Sequence, residues 1–202
     1  MRSVRERESG WTPPKLLGAD PGLANFGMAV LEVTPGRAPM LLHLSTTRTS
    51  GEPKKKRTIH LADENFIRTR AIGRALDHVL VQYNPAAIAA ESFAWVRDAS
   101  SAAKTAMTWG VLALACERAS LPLASLGSQD VKKALCGKRD ASKESVEQAA
   151  RKRLARGSEH VIAAFEQTTS ATHREHAWDA LATALVALEQ SEVIRAVVRA
   201  AP

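Results

Sequence analysis

LLGADPGLANFG, residues 16–27, is an apolar run that ends on a lone carboxylate, Asp20, and breaks at once into a Pro-Gly turn. An acid at the tip of an apolar strand is either a turn former or a piece of chemistry, and only distant partners decide which. Lys15 to Ala19 reads as one strand and Gly27 to Val33 (GMAVLEV) as the next, with Pro21, Gly22 and Asn25 in the turn between them. That is a β-hairpin pattern. Met40 to Thr47 (MLLHLSTT) follows the turn signal Pro35-Gly36 and predicts a third antiparallel strand, so the chain opens as a meander.

Working outward, Ile59, Ala62, Phe66, Ile72, Leu76, Val79 and Tyr83 recur at steps of three or four with one longer gap. This predicts an amphipathic helix over 58–83, stopped by Asn84-Pro85. AAIAA, residues 86–90, is a short strand that ends on Glu91, so an apolar strand delivers a carboxylate at its C-terminal end a second time. A helix over 100–119 with small residues on more than one face, a strand over 121–126 and a short helix over 128–135 follow. Then come a basic helix from Ser142 to Arg156, capped by Ser142 and stopped by Gly157, a polar and weakly patterned stretch over 157–172, and a helix from Thr172 to Glu189. Three strands, helix, strand, helix, strand and helices predict an α/β fold: a mixed five-stranded sheet, three-stranded antiparallel meander plus parallel strands, with helices on both faces. This is the ribonuclease-H-like architecture. The expected organisation is one domain over 15–190, a flexible basic tail over 1–14 and a C-terminal tail over 191–202.

The chain of 202 residues carries 28 Lys and Arg against 21 Asp and Glu, a formal net charge of +7 and a pI near 9.8. A surface that basic favours a polyanionic partner. No segment approaches the roughly 20 apolar residues of a membrane span. MRSVRERESGW at the N-terminus has basic residues with no apolar stretch behind them, which is not a secretory signal. Cys116 and Cys136 have no CxxC or Cys/His spacing, which argues against zinc and fits a reducing cytoplasm, bacterial or of a phage-infected host.

Asp20 and Glu91 emerge at the same sheet edge if the first and fourth strands are parallel neighbours. Two anions there repel unless a cation sits between them. His176 and Asp179, three residues apart, share a face at the start of the last long helix. If that end points at the same edge, the set holds one or two Mg²⁺ ions, and two ions about 4 Å apart support in-line displacement at phosphorus. Each residue alone is ordinarily a solvated acid or a turn former; the joint placement carries the reading. Glu175 is expected to point elsewhere on the helix and stays a reserve ligand. His173, one turn before His176, reads as a capping or exposed residue.

ADPGLANFGMAV resembles the first motif of the RuvC family of Holliday-junction resolvases, YNPAAIAAESF its second acidic motif and HAWDALATAL its C-terminal D/H-x-x-D helix. SQDVKKALCGKRDASKESV is similar to the family's two-lysine segment. The resemblance spans roughly 15–190 and implies a Mg²⁺-dependent endonuclease, with Mn²⁺ able to substitute, that cuts branched four-way DNA as a homodimer. It implies no small-molecule cofactor and no membrane. By position it makes Asp20, Glu91, His176 and Asp179 the catalytic and metal-binding set, with His176 where many members have Asp. It makes Lys132 and Lys143 DNA contacts, and Lys133, Lys138 and Arg139 crowd the same region. Lys54, Lys55, Lys56 and Arg57 form a further cationic run, and Phe93 and Trp95 in ESFAWVRD are candidates to stack on an unpaired base. The homodimer is expected through the helix around Ser100 to Ala119. Open alternatives are another ribonuclease-H-like nuclease acting on RNA, flaps or ends, a non-catalytic junction-binding protein, and an actin-like phosphotransferase, for which a second phosphate-binding Gly loop is missing.

Overall fold

A computed structural model of the protein describes residues 12–49, 60–92 and 98–200. The meander is formed by β1 (Lys15–Pro21), β2 (Asn25–Glu32) and β3 (Met40–Arg48), and helix α1 (Leu61–Tyr83) leads to β4 (Ala87–Glu91). Helix α2 (Ala99–Ala119) leads to β5 (Leu123–Leu126), completing a sheet of order β3-β2-β1-β4-β5. β2 is antiparallel to β1 and β3, while β4 is parallel to β1 and β5. The expected mixed sheet is therefore present, and β1 sits at its centre.

Local chemistry sets the element ends. The Asp98 side chain accepts a hydrogen bond from the Ser101 amide at 2.8 Å and starts α2; Ser120 in the left-handed region, φ 52°, ends it. After β5 come α3 (Ser128–Cys136) and α4 (Lys143–Arg153), separated by Gly137 at φ 83° and begun anew by the Ser142 cap on the Ser145 amide. Helix α4 stops at Arg153, three residues before its expected end, and Gly157 lies in a 3-10 turn, Arg156–Ser158, rather than at a helix terminus.

Two other expectations are corrected. The stretch 157–172 contains a helix, α5 (Glu159–Thr168), which buries only Ile162 and Phe165 and so has little periodicity to betray it. Within the segment expected to be a C-terminal tail, Glu192–Ala200 forms α7, which follows α6 (Ala171–Gln190) and buries Ile194 completely. Val197 and Val198 pack against the same core, which is why this segment orders.

Alternate residues of the strands feed two cores. Leu17, Ala19, Met28, Val30, Ile88 and Ala90 pack with Ile72, Leu76 and Val79 of α1 and with Leu112, Ala115 and Cys116 of α2. Leu16, Ala29, Leu31, Ala87 and Ala89 pack with α6 and the shorter helices around it. From Ala177 to Ala187 every residue of α6 is buried, so this helix lies inside the protein rather than on it.

The closeness of α6 to the sheet is made possible by two glycines. A Cβ on Gly18 would stand 2.2 Å from the carbonyl oxygen of Ala180, and one on Gly27 would stand 2.0 Å from that of His176. No side chain fits at either distance. Gly18 and Gly27 thus fix where the first turns of α6 meet β1 and β2, and with them the positions of His176 and Asp179.

Candidate active site

The parallel register pairs Ala19 with Ala90, so the next residues, Asp20 and Glu91, leave β1 and β4 side by side at one sheet edge. Their side chains fall on the α6 face, two residues on from Gly18 and Ala89. Helix α6 closes the site from above. His176 Nδ1 lies 2.7 Å from Asp20 Oδ2, and Asn25 Nδ2, on the first residue of β2, lies 3.3 Å from His176 Nε2. Asp179, one turn further on and 8% exposed, forms an ion pair with the ammonium of Lys143 at the start of α4. All four acidic-site residues expected from sequence converge, and α4 adds a cation among them.

Electrostatics tie the group together. Burial, with the charges of Asp20 and Asp179, raises the Glu91 carboxyl to about 7 against the opposing effects of Lys143 and Ser128. Burial also raises Asp179, and Lys143 only partly offsets it. Lys143 is itself pulled down by burial, yet Asp179, with help from Glu175 and Asp20, outweighs this and leaves it raised. That both partners of one ion pair are raised means a single ammonium undercompensates this edge. His176 is raised chiefly by its hydrogen bond to Asp20, against burial.

These are the conditions under which a divalent cation binds: crowded oxygen donors, partly buried, short of positive charge. The donor set of Asp20, Glu91 and Asp179 fits such an ion. Among the described residues no three His, Cys, Asp or Glu side chains stand close enough together to ligate one; Asp20 is engaged by His176 and Asp179 by Lys143. Lys143 holds the place of a cation on Asp179.

The remaining expectations divide. Lys143 reaches the carboxylates, whereas Lys132 is half-buried on α3 and Lys133, Lys138 and Arg139 are exposed, with Arg139 3.2 Å from Asp130. Lys54, Lys55, Lys56, Arg57, Phe93 and Trp95 lie outside the described residues. Glu175 does not point away: its Oε1 is 3.5 Å from His176 Nε2. The carbonyl of half-buried His173 accepts a hydrogen bond from Thr46 Oγ1 at 2.9 Å, so this residue braces β3 against α6. The sequence marks Asn25 only as a turn residue; its contact with His176 depends on the approach that Gly27 permits, and nothing local in the sequence signals it.

Residues 16–187 match the family model described as crossover junction endodeoxyribonuclease RuvC. A protein of that description from Alkalilimnicola ehrlichii is 31% identical over 89% of this chain and 94% of its own length. One from Mycolicibacterium vanbaalenii is 32% identical over 65% of this chain, the match taking in 63% of that protein. Among solved structures, T. thermophilus RuvC in complex with a Holliday junction substrate superposes with a TM-score of 0.64 at 29% identity, covering 85% of this chain and 91% of that one.

Proposed function

The chain belongs to the RuvC family of crossover junction endodeoxyribonucleases, and from that premise we propose that it resolves four-way DNA junctions by paired nicks. The metal is Mg²⁺, for which Mn²⁺ substitutes, held by Asp20, Glu91 and Asp179, with His176 a further ligand or the carrier of a proton. The observation that supports this most is the β1–β4 register, which sets Asp20 and Glu91 abreast under the two site residues of α6. When bound, the ion supplies Lewis acidity for activating water and for offsetting charge on the phosphoryl and leaving oxygens.

The chain's own groups do the rest. Lys143 stands at the mouth of the site on a half-exposed side chain, where it can exchange Asp179 for a backbone phosphate. We assign phosphate contacts to Lys132, Lys133, Lys138 and Arg139, on α3 and its C-terminal turn, contacts of a kind that position DNA without reading sequence. A four-way junction has two-fold character, so two active sites are needed, and a two-fold homodimer supplies them. Helix α2 is the face we assign to it: Ala103, Ala106, Gly110, Ala113 and Leu114 are exposed there. No helix among the described residues is long and apolar enough to cross a membrane, and the compartment we propose is the cytoplasm.

Asp20→Asn keeps the shape of the side chain and removes its charge. Junction cleavage in Mg²⁺ is expected to fall more than about a hundredfold while thermal unfolding stays cooperative. Cleavage that survives in a folded variant overturns the assignment. Running the wild type on a four-way junction, a flap, an RNA–DNA hybrid and a single strand separates junction resolution from the other nuclease activities of this fold.

A further inference from the structure

The parallel ladder between β1 and β4 runs from Leu16–Ala87 to Ala19–Ala90 and stops there, so from Asp20 onward β1 keeps only its antiparallel partner β2. The turn that follows, residues 21–24, is held by other means. The Gly22 amide donates to the Asp20 carbonyl at 2.9 Å and tightens the chain directly behind the carboxylate. The remaining contacts come from outside the turn. Thr108 Oγ1, on α2, donates to the Pro21 carbonyl at 2.6 Å. Thr49, just past β3, takes two more: its Oγ1 donates to the Leu23 carbonyl and its amide to that of Ala24 at 2.9 Å. Each acceptor is a carbonyl oxygen, so each donor is fixed.

The supports are themselves buried and ordered. Arg68 Nε donates to Thr49 Oγ1 at 3.2 Å, which leaves the hydroxyl proton for Leu23, and Arg68 Nη1 stands 3.8 Å from Glu64 Oε1 in the same helix. Thr108 is fully buried, on the face of α2 that carries Leu112, Ala115 and Cys116 into the core. At such a position valine fills the same space with no hydroxyl to satisfy. The hydroxyl has a second acceptor, the Thr105 carbonyl at 2.8 Å, but that contact lies within α2 and ties no other element to it. What threonine adds here is a bond from α2 to the turn behind Asp20.

We propose that Thr108 and Thr49 are positioning residues: they clamp the turn over 21–24 from α2 and from the end of β3, and so hold Asp20 beside Glu91 and under His176. Gly18 and Gly27 set how near α6 comes to the strands. The clamp sets how far the chain behind Asp20 can swing, and small misplacements of a reacting group are costly.

The inference rests on the reading of Asp20 as a site residue, and its test includes a measurement independent of that reading. Thr108→Val removes the donor and keeps the volume; Thr108→Ser keeps the hydroxyl. In the metal-free full-length protein, amide hydrogen exchange at Gly22 and Thr49 is expected to be about three- to tenfold faster in Thr108→Val, the scale of one net hydrogen bond. The Val33 amide, bonded to the Pro14 carbonyl at the open end of the same hairpin, is expected to exchange as in the wild type. Junction cleavage by Thr108→Val loses about tenfold in kcat with KM for the junction unchanged, and Thr108→Ser restores both exchange and rate. Thr49→Val is expected to loosen Gly22 and slow cleavage in the same way, so the test stands even where Thr108→Val does not fold. Wild-type exchange at Gly22 in either folded valine variant, an equal acceleration at Val33, a loss confined to KM, or no recovery in Thr108→Ser overturns the proposal. If the turn loosens as expected and Asp20→Asn still cuts, the clamp stands and the ligand assignment falls.

Discussion

The two faces of the sheet are covered in opposite ways. On one, α6 is buried from Ala177 to Ala187 and presents His176 and Asp179 at its open end, with no large apolar side chain of that helix left exposed. On the other, α1 and α2 seal the sheet with Ile72, Leu76, Val79 and Leu112 but leave Phe66 at 57%, Ile67 at 54% and Leu114 at 59% exposure. A helix that holds catalytic atoms to a fraction of an ångström has to be locked on all sides, and close packing against glycine does this because backbone cannot yield as a side chain can. The opposite face has no such demand. Its leftover apolar surface is what an association face looks like.

The comparison breaks most severely at Gly18. Gly18→Val puts a branched side chain where a single Cβ already stands 2.2 Å from backbone oxygen, so α6 has to move off the sheet. The expected loss is about 3 kcal/mol or more of stability, with activity lost in parallel, measured by urea unfolding. A variant that keeps wild-type stability and activity refutes the claim that glycine contact locates the site. Gly110→Val on α2, where a Cβ meets nothing within 4 Å, is the matched control for folding stability alone, because Gly110 lies on the face assigned to the dimer.

A smaller effect sharpens the comparison inside the site. Lys143 reaches Asp179 from α4, a helix whose cation is half-exposed, so its ion pair is the least rigid part of an otherwise locked edge. Lys143→Met removes the charge that competes with a divalent ion for Asp179. The DNA-free protein is expected to bind Mn²⁺ or Mg²⁺ about fivefold more tightly by calorimetry, the scale of a half-exposed ion pair, while binding the junction more weakly. Weaker metal binding in the variant means that Lys143 supports the carboxylates rather than standing in for a cation.

How much of this was legible in the sequence follows the same division. Asp20 and Glu91 could be placed because each ends an apolar strand of period two, and His176 and Asp179 because a step of three shares a helix face. These are local patterns, and the sheet order that unites them follows from the alternation of strands and helices. The Asn25 contact, the Lys143 pair and the approach of Glu175 are not local: they depend on how far α6 and α4 sit from the strands, which Gly18, Gly27 and the Ser142 cap determine only in three dimensions. Helix α5 escaped because two buried residues make no period. Helix α7 did carry one, in Val193, Ile194, Val197 and Val198, and its reading as a tail came from its place at the chain end rather than from its residues.

The smallest expected effect on stability tests the face opposite the site. Leu114 is exposed on α2, beside Phe66 of α1 across a groove that also holds Arg70, Arg74 and Arg118. Because Leu114 is already in water in the single chain, Leu114→Glu changes folding stability by no more than about 0.5 kcal/mol. If the α1–α2 face joins two copies, the same substitution buries two carboxylates across a two-fold axis, and each meets its own symmetry mate. Analytical ultracentrifugation is expected to show a dimer for the wild type and a monomer for Leu114→Glu at equal melting temperature. Paired cutting of the junction then gives way to single nicks. A dimer that persists in this variant removes the α1–α2 face from the assembly while leaving the chemistry of the α6 face as it stands.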